Sequence, residues 1–159
     1  MKLYLKQKLF SFKDKFFVYD EWGKEKYSVE GELFSFGKRL HVYDMFGNEV
    51  AFVKQRILSF SPRFKIYVGG NEVAEVLKRF TVFKQHYSVL GTNWEVQGDF
   101  LDHNYAVYDN NLPVANVSKD WATWADVYSI DIAPYVDELT ALCVVLVVDA
   151  AMYSGELID

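Results

Sequence analysis

From residue 139 to residue 148 only Thr140 is not apolar, and this run follows more than a hundred residues patterned almost entirely as strands. A helix that is apolar on every side has to be enclosed. The simplest enclosure this chain can supply is a barrel closed from its own strands, with the run threaded through the middle as core. Four valines, Val144, Val145, Val147 and Val148, favour a strand by intrinsic preference. The flanks favour a helix. Pro134 suits a first turn, Asp137 and Glu138 suit its positive end, Leu142, Ala150, Ala151 and Met152 are good helix formers, and Gly155 marks a stop. The expectation is a helix over residues 134–152, about five turns long.

The preceding strands are marked by period-two alternation and closely spaced turn residues. Residues 16–20 turn through Glu21-Trp22-Gly23 and return in 27–31. Residues 40–44 turn through Met45-Phe46-Gly47-Asn48 and return in 49–53. Residues 66–68 turn through Gly69-Gly70-Asn71 and return in 73–77, and 106–109 turn at Asn110-Asn111 and return in 112–117. Pro113 cannot donate to a ladder and belongs near a strand start. Tyr19, Tyr43 and Tyr67 fall 24 residues apart. A second echo joins Tyr27-Ser28-Val29-Glu30-Gly31 and Val42-Tyr43-Asp44 to Trp94-Glu95-Val96-Gln97-Gly98 and Val107-Tyr108-Asp109. Without a Pro-, Gly- or Ser-rich linker between them, these are pseudo-symmetric halves of one domain over residues 1–159. About twelve strands are too many for a flat sheet of this length and suit closure.

With half its residues apolar and 18% aromatic, the chain is not disordered. The one cysteine, Cys143, lies inside the apolar run and has no internal partner, which points to a reducing, cytoplasmic setting. The first eight residues alternate charge with bulk, as a strand does and a signal peptide does not. The apolar run is far shorter than the roughly 20 residues that cross a bilayer. Residues 1–84 hold 16 of the 17 Lys and Arg against 10 acids, whereas residues 85–159 hold Lys119 against 12. Either a basic docking face results, or the two halves interleave in space and their charges cancel.

Tyr27 to Gly31, the hairpin from Val42 to Ala51, the Trp121, Trp124, Asp126, Tyr128 string and the closing apolar helix together resemble the LURP-one-related proteins. Those belong to the tubby C-terminal-like superfamily, which includes the phospholipid scramblases. The resemblance spans essentially the whole chain. It implies a mainly β fold, a closed antiparallel barrel of twelve strands around a hydrophobic C-terminal helix. Tubby-like domains bind phosphoinositides through exterior Lys and Arg, so the resemblance also points to anionic headgroups. No local motif here matches that site. The candidates are Lys38 with Arg39, Lys54 with Arg56, Arg63 with Lys65, and Lys78, Arg79 and Lys84, several of them two apart, as shared strand faces require. Outward cations also serve as solubilising residues and edge guards.

Scrambling is not expected, because Cys143 lies in the core helix and Asp99, Asp102, Asp109 and Asp120 do not follow a calcium-loop spacing. His41, His86 and His103 stand far apart without cysteine partners, so no metal site is expected. His41, at an alternating strand position, reads as packed or paired. Nucleophile-elbow, P-loop and dinucleotide fingerprints are absent, and neither cofactor nor nucleic-acid partner is expected. Trp121 and Trp124 read as rings folded over an open barrel end, the alternative being exposed rings that anchor a partner or a membrane interface. Two function classes follow. One is a non-catalytic binding or scaffold module for an anionic headgroup or a protein partner. The other is a barrel holding a small ligand beside the helix, with or without chemistry.

Overall fold

The computed structural model describes residues 1–6, 15–32, 36–80, 84–119 and 127–155. Twelve antiparallel strands among them close into a barrel. In chain order they are β1 (Lys2–Lys6), β2 (Phe16–Tyr19), β3 (Glu25–Gly31), β4 (Arg39–Asp44), β5 (Glu49–Gln55), β6 (Arg63–Val68), β7 (Asn71–Phe80), β8 (Gln85–Leu90), β9 (Trp94–Asp99), β10 (Asn104–Asp109), β11 (Leu112–Lys119) and β12 (Val127–Ile132). Each strand pairs with its neighbours in sequence, and β1 closes the ring against β12, Leu3 opposite Ile130. Helix α1 (Glu138–Gly155) follows.

The four expected hairpins are present as β2–β3, β4–β5, β6–β7 and β10–β11. The Tyr-Asp pairs build two of the turns in the same way. Asp20 Oδ1 accepts the backbone N–H groups of Trp22 and Lys24, and Asp44 Oδ1 accepts those of Phe46 and Asn48, all at 2.9 Å. Pro113 stands opposite Tyr108 beside a bulge, next to the start of β11, where its missing N–H costs no regular ladder bond. The internal echo places β3–β4 six strands from β9–β10, on opposite sides of the ring. Gly98 in that echo has φ +143, and a Cβ there would meet Tyr105 Cα at 2.5 Å.

The interior is the alternate face of each strand packed on α1. Ala141 to Ala151 are all buried on the helix, and Leu40, Val42, Val53, Phe64, Ile66, Val76, Val107, Ile130 and Ile132 meet them from the wall. Valine gives up less than about 0.7 kcal/mol of helix propensity per residue, while burying its side chain stabilises by about 1.5–3 kcal/mol. Burial therefore decides for the helix. Its start differs from expectation. Pro134 sits in a turn, and Asp137 caps the helix by accepting from Thr140 N–H at 2.9 Å and Thr140 Oγ1 at 2.6 Å. A side-chain cap satisfies first-turn donors that a proline start four residues earlier would leave to water. Glu138 then fixes the entry to β3 through Lys26 at 2.7 Å and the Tyr27 hydroxyl at 2.8 Å. No described helix is long and apolar enough to cross a membrane.

Val145→Asp places an unpaired charge where nothing solvates it and is expected to leave no folded soluble protein by circular dichroism. Leu142→Ala, which only opens a cavity, is expected to retain the fold and lose about 2–5 kcal/mol in urea denaturation.

Candidate functional site

Because the strands run alternately up and down, the connections β3–β4, β5–β6, β7–β8 and β9–β10 emerge at one end of the barrel. The nine candidate cations gather there. Lys38 and Arg39 open β4, Lys54 and Arg56 close β5, Arg63 and Lys65 lie in the first half of β6, Lys78 and Arg79 close β7, and Lys84 precedes β8. The described acids at this end are Glu30, Glu32, Asp99 and Asp102, with Glu75 and Glu95 beside the cations in the wall and Asp149 buried within. The opposite end holds Asp20, Glu21, Glu25, Asp44, Glu49, Glu72, Asp109, Asp131, Asp137 and Glu138 against Lys2, Lys24 and Lys26. Charge is thus separated along the barrel axis, an arrangement that the division into sequence halves only hinted at.

Three cations share one cross-strand row. Arg39 stands opposite Lys54 and Lys54 opposite Lys65; their chain neighbours Leu40, Val53, Phe64 and Ile66 are buried inward, so all three face out. Like charges directly opposite in a ladder repel. Glu32 lies 3.7 Å from Arg39 and Glu72 lies 3.5 Å from Lys65; Lys54, in the centre, has no carboxylate partner among the described residues. Beside the row, Arg56 and Arg63 share Glu75 at 3.6 and 3.2 Å. The Arg63 contact is an ion pair without hydrogen-bond alignment. Arg79 Nε donates to Ser88 Oγ at 2.7 Å, and that hydroxyl donates to Glu95 at 2.9 Å.

Two candidates do not join this outer surface. Lys38 turns to the helix and donates to the Ala150 carbonyl at 2.8 Å, with burial lowering its pKa to about 8. Lys78 is in the inward register and only 7% exposed. Its ammonium lies 5.3 Å from the Phe80 ring, and burial lowers its pKa. Trp121 and Trp124 lie outside the described residues, as do Asp120 and Asp126.

His41 is paired, as its strand position suggested. Its Nδ1 lies 2.7 Å from Glu49 and its Nε2 2.8 Å from Glu32. Burial pushes its pKa down, but hydrogen bonds to the two carboxylates outweigh this and hold it above 6.5. The imidazole continues into an aromatic row, 4.8 Å from the Phe52 ring, which is 5.9 Å from Tyr67. These rings line a shallow cleft of about 370 Å³. Another cleft, of about 520 Å³, runs over Arg79, Thr92, Trp94, Glu95 and Tyr108.

The sequence reading missed a polar cluster inside the barrel. Asp149 looked like the flank of the apolar run, yet it is completely buried on α1. The Tyr128 hydroxyl donates to its Oδ2, and His103 Nε2 lies 3.5 Å from Oδ1. His103 adopts φ +50 in the β9–β10 turn and stacks 4.7 Å from the Tyr128 ring. The Tyr87 and Tyr105 hydroxyls have no hydrogen-bond partner among the described residues. Burial, and then the Asp149 charge, raise the pKa of both. The signal available was an acid at the helical spacing of a fully enclosed face. Every member is at most 3% exposed, so the cluster presents no group to a substrate outside. Cys143 is equally enclosed, its thiol pushed up to about 12 by burial. Among the described residues no three His, Cys, Asp or Glu are placed to hold a metal ion.

A family model described as LURP-one-related matches residues 1–149. The Bacillus subtilis (strain 168) protein named "Uncharacterized protein YxjI" is 36% identical over 156 residues, covering 98% of this chain and 96% of that protein. A solved structure of a protein from Arabidopsis thaliana matches with TM-score 0.66 and 18% identity over 96% of this chain and 90% of its own. At that identity the likeness concerns the fold, and it bears out the tubby-like barrel.

Tyr128→Phe strands a buried carboxylate oxygen and is expected to cost about 1–3 kcal/mol in denaturant titrations, whereas Tyr87→Phe removes a hydroxyl that has no partner among the described residues and should be near neutral. For His41 an NMR titration is expected to give a midpoint above 6.5. A raised pKa means the paired imidazolium stabilises fully below the unfolded value and loses that contribution as pH rises through the folded midpoint. His41→Asn should flatten the stability profile across that window.

Proposed function

This chain belongs to the LURP-one-related family, and from that premise we propose that it is a non-catalytic, intracellular binding module that docks on anionic phospholipid headgroups through the basic end of its barrel. The observation that carries the reading is the outward row Arg39, Lys54, Lys65, in which three cations stand side by side and the central one lacks a carboxylate among the described residues. A folded protein keeps such a row at an electrostatic cost, and an arriving phosphate relieves it with charge-assisted hydrogen bonds. Arg56, Arg63 and Arg79 lie in the same sector. Arg56 and Arg63 share Glu75, which also stands opposite Lys65, and Glu32, Glu72 and Glu95 lie beside Arg39, Lys65 and Arg79, so six cations against four carboxylates leave the sector positive.

The reading as a barrel for an internal small ligand has one observation in its favour, the Tyr87 and Tyr105 hydroxyls beside Asp149, which have no partner among the described residues. It is the weaker reading, because the helix occupies the space such a ligand would need and every polar member of that cluster is closed from solvent.

Vesicles of phosphatidylcholine alone and vesicles doped with phosphatidylserine or phosphoinositide separate the readings in a sedimentation assay. Binding is expected only to the anionic vesicles. Lys54→Gln with Lys65→Gln is expected to weaken it roughly 10–30-fold, at about 1 kcal/mol per lysine, with unchanged circular dichroism. Equal recovery of both proteins with all vesicles would sink the headgroup reading.

A further inference from the structure

Four hairpin connections at the basic end present bulky apolar side chains to solvent; in β9–β10 it is Leu101, between Asp99 and Asp102, and the other three are flanked by cations. In β3–β4 it is Phe36, 85% exposed. In β5–β6 Leu58 and Phe60 are fully exposed and Ile57 is half exposed, and in β7–β8 Phe80 is 61% exposed. Soluble proteins do not gather such groups on one rim without a partner for them. Leu58 also holds φ +62, a left-handed conformation that a branched residue adopts at a cost, and no packing against the barrel compensates it. The tip itself is braced. Arg56 N–H donates to the Arg63 carbonyl at 2.8 Å, Lys78 N–H to the Pro62 carbonyl at 3.1 Å, and Ser59 Oγ to the Ser61 carbonyl at 2.6 Å. Outliers of this kind, held by surrounding structure, point towards function.

Exposure alone does not select these tips, because the opposite end also shows Trp22 and Phe46. Charge selects them. Trp22 follows Asp20 and Glu21, and Phe46 lies between Asp44 and Glu49, so an anionic surface repels that end. The tip around Leu58 lies between Arg56 and Arg63, and Phe80 follows the outward Arg79. Apolar tips ringed by cations match the two layers of an anionic membrane, headgroup phosphate outside and hydrocarbon beneath. A protein partner would need to offer both layers in the same order.

We infer that Phe36, Leu58, Phe60 and Phe80 insert into the interface of an anionic bilayer, with Leu58 and Phe60 entering deepest and the row of Arg39, Lys54 and Lys65 held at headgroup level. The inference rests on the headgroup reading and adds a depth of contact to it. Electrostatic docking then brings the domain to the surface, and burial of the tips holds it there when salt screens the charges.

The molecule supplies its own test, since the buried native thiol of Cys143 leaves a cysteine introduced at position 58 as the accessible labelling site. Leu58→Cys carrying an environment-sensitive fluorophore is mixed with anionic vesicles containing brominated acyl chains; Phe46→Cys is the control at the opposite end. Insertion predicts a blue shift and quenching at position 58 and neither at position 46. It also predicts that Leu58→Ser with Phe60→Ser weakens vesicle binding by about tenfold or more and abolishes the fraction that survives molar salt, where the Debye length is about 3 Å. Salt-labile vesicle binding without a shift at position 58 overturns insertion and leaves headgroup docking standing. No vesicle binding overturns both. A shift that depends on protein concentration without vesicles assigns the tips to self-association and overturns the inference as well.

Discussion

The enclosure of one apolar helix by twelve strands is the constraint on which the rest of this structure depends. Helix α1 has no polar face to offer water, and among the described residues the strand interiors form one core cluster with the helix. Neither half is a stable object alone. An isolated helix of this length is marginal even with good helix formers, and this one carries four valines. A ring of short strands around an empty interior would forgo most of its burial. The two form together or not at all, which makes folding cooperative and places the decisive long-range contacts at the end of the chain.

That mutual dependence also explains how the core tolerates polar groups. Asp149 is carried into the barrel because it lies on a helix with no outer face, and the wall has answered it with Tyr128 and His103. Removing a partner is therefore costlier than removing the whole arrangement would be. A buried carboxylate with a fixed phenol donor also specifies one rotation of α1 within the barrel. A helix of uniform apolar residues has many nearly equivalent rotations, and the Asp149–Tyr128 pair discriminates among them at the basic end as Glu138 with Lys26 and Tyr27 does at the other.

Much of this was legible in the chain, because period-two alternation and turn chemistry are local. The Tyr-Asp turns at Asp20 and Asp44, the place of Pro113 and the burial of Cys143 follow from residues within a few positions of one another. The echo of Tyr27 in Trp94 placed two hairpins on opposite sides of the ring. What was not legible depends on closure. Residues 38, 56, 63 and 79 share one rim only because successive strands reverse, so charges scattered along the sequence converge in space. Lys78 follows the inward alternation of Ala74 and Val76 and cannot be told from an outward lysine by type. Asp149 looked like an end of the apolar run because an acid usually is one. The helix start was misplaced for a local reason, since Pro134 and Asp137 both suit a first turn and only the capping geometry chooses between them.

The axial separation of charge gives the domain an orientation as well as a surface. Helix α1 runs from the acidic end to the basic end, so its positive N-terminus lies among Asp131, Asp137 and Glu138, and its negative C-terminus points towards the rim where Lys38 donates to the Ala150 carbonyl. The dipole and the strand-end charges stabilise one another in that order, and reversing either would set like signs together. On the proposed reading, an anionic surface meets the molecule with a torque as well as an attraction, turning the basic rim inward before contact. Charge acts over about a Debye length, 10 Å at 0.1 M salt, whereas apolar burial acts only on touching. The long-range term therefore decides which tips arrive first. Phe36, Leu58, Phe60 and Phe80 are at the end it selects, and Trp22 and Phe46, equally apolar, are at the end it turns away.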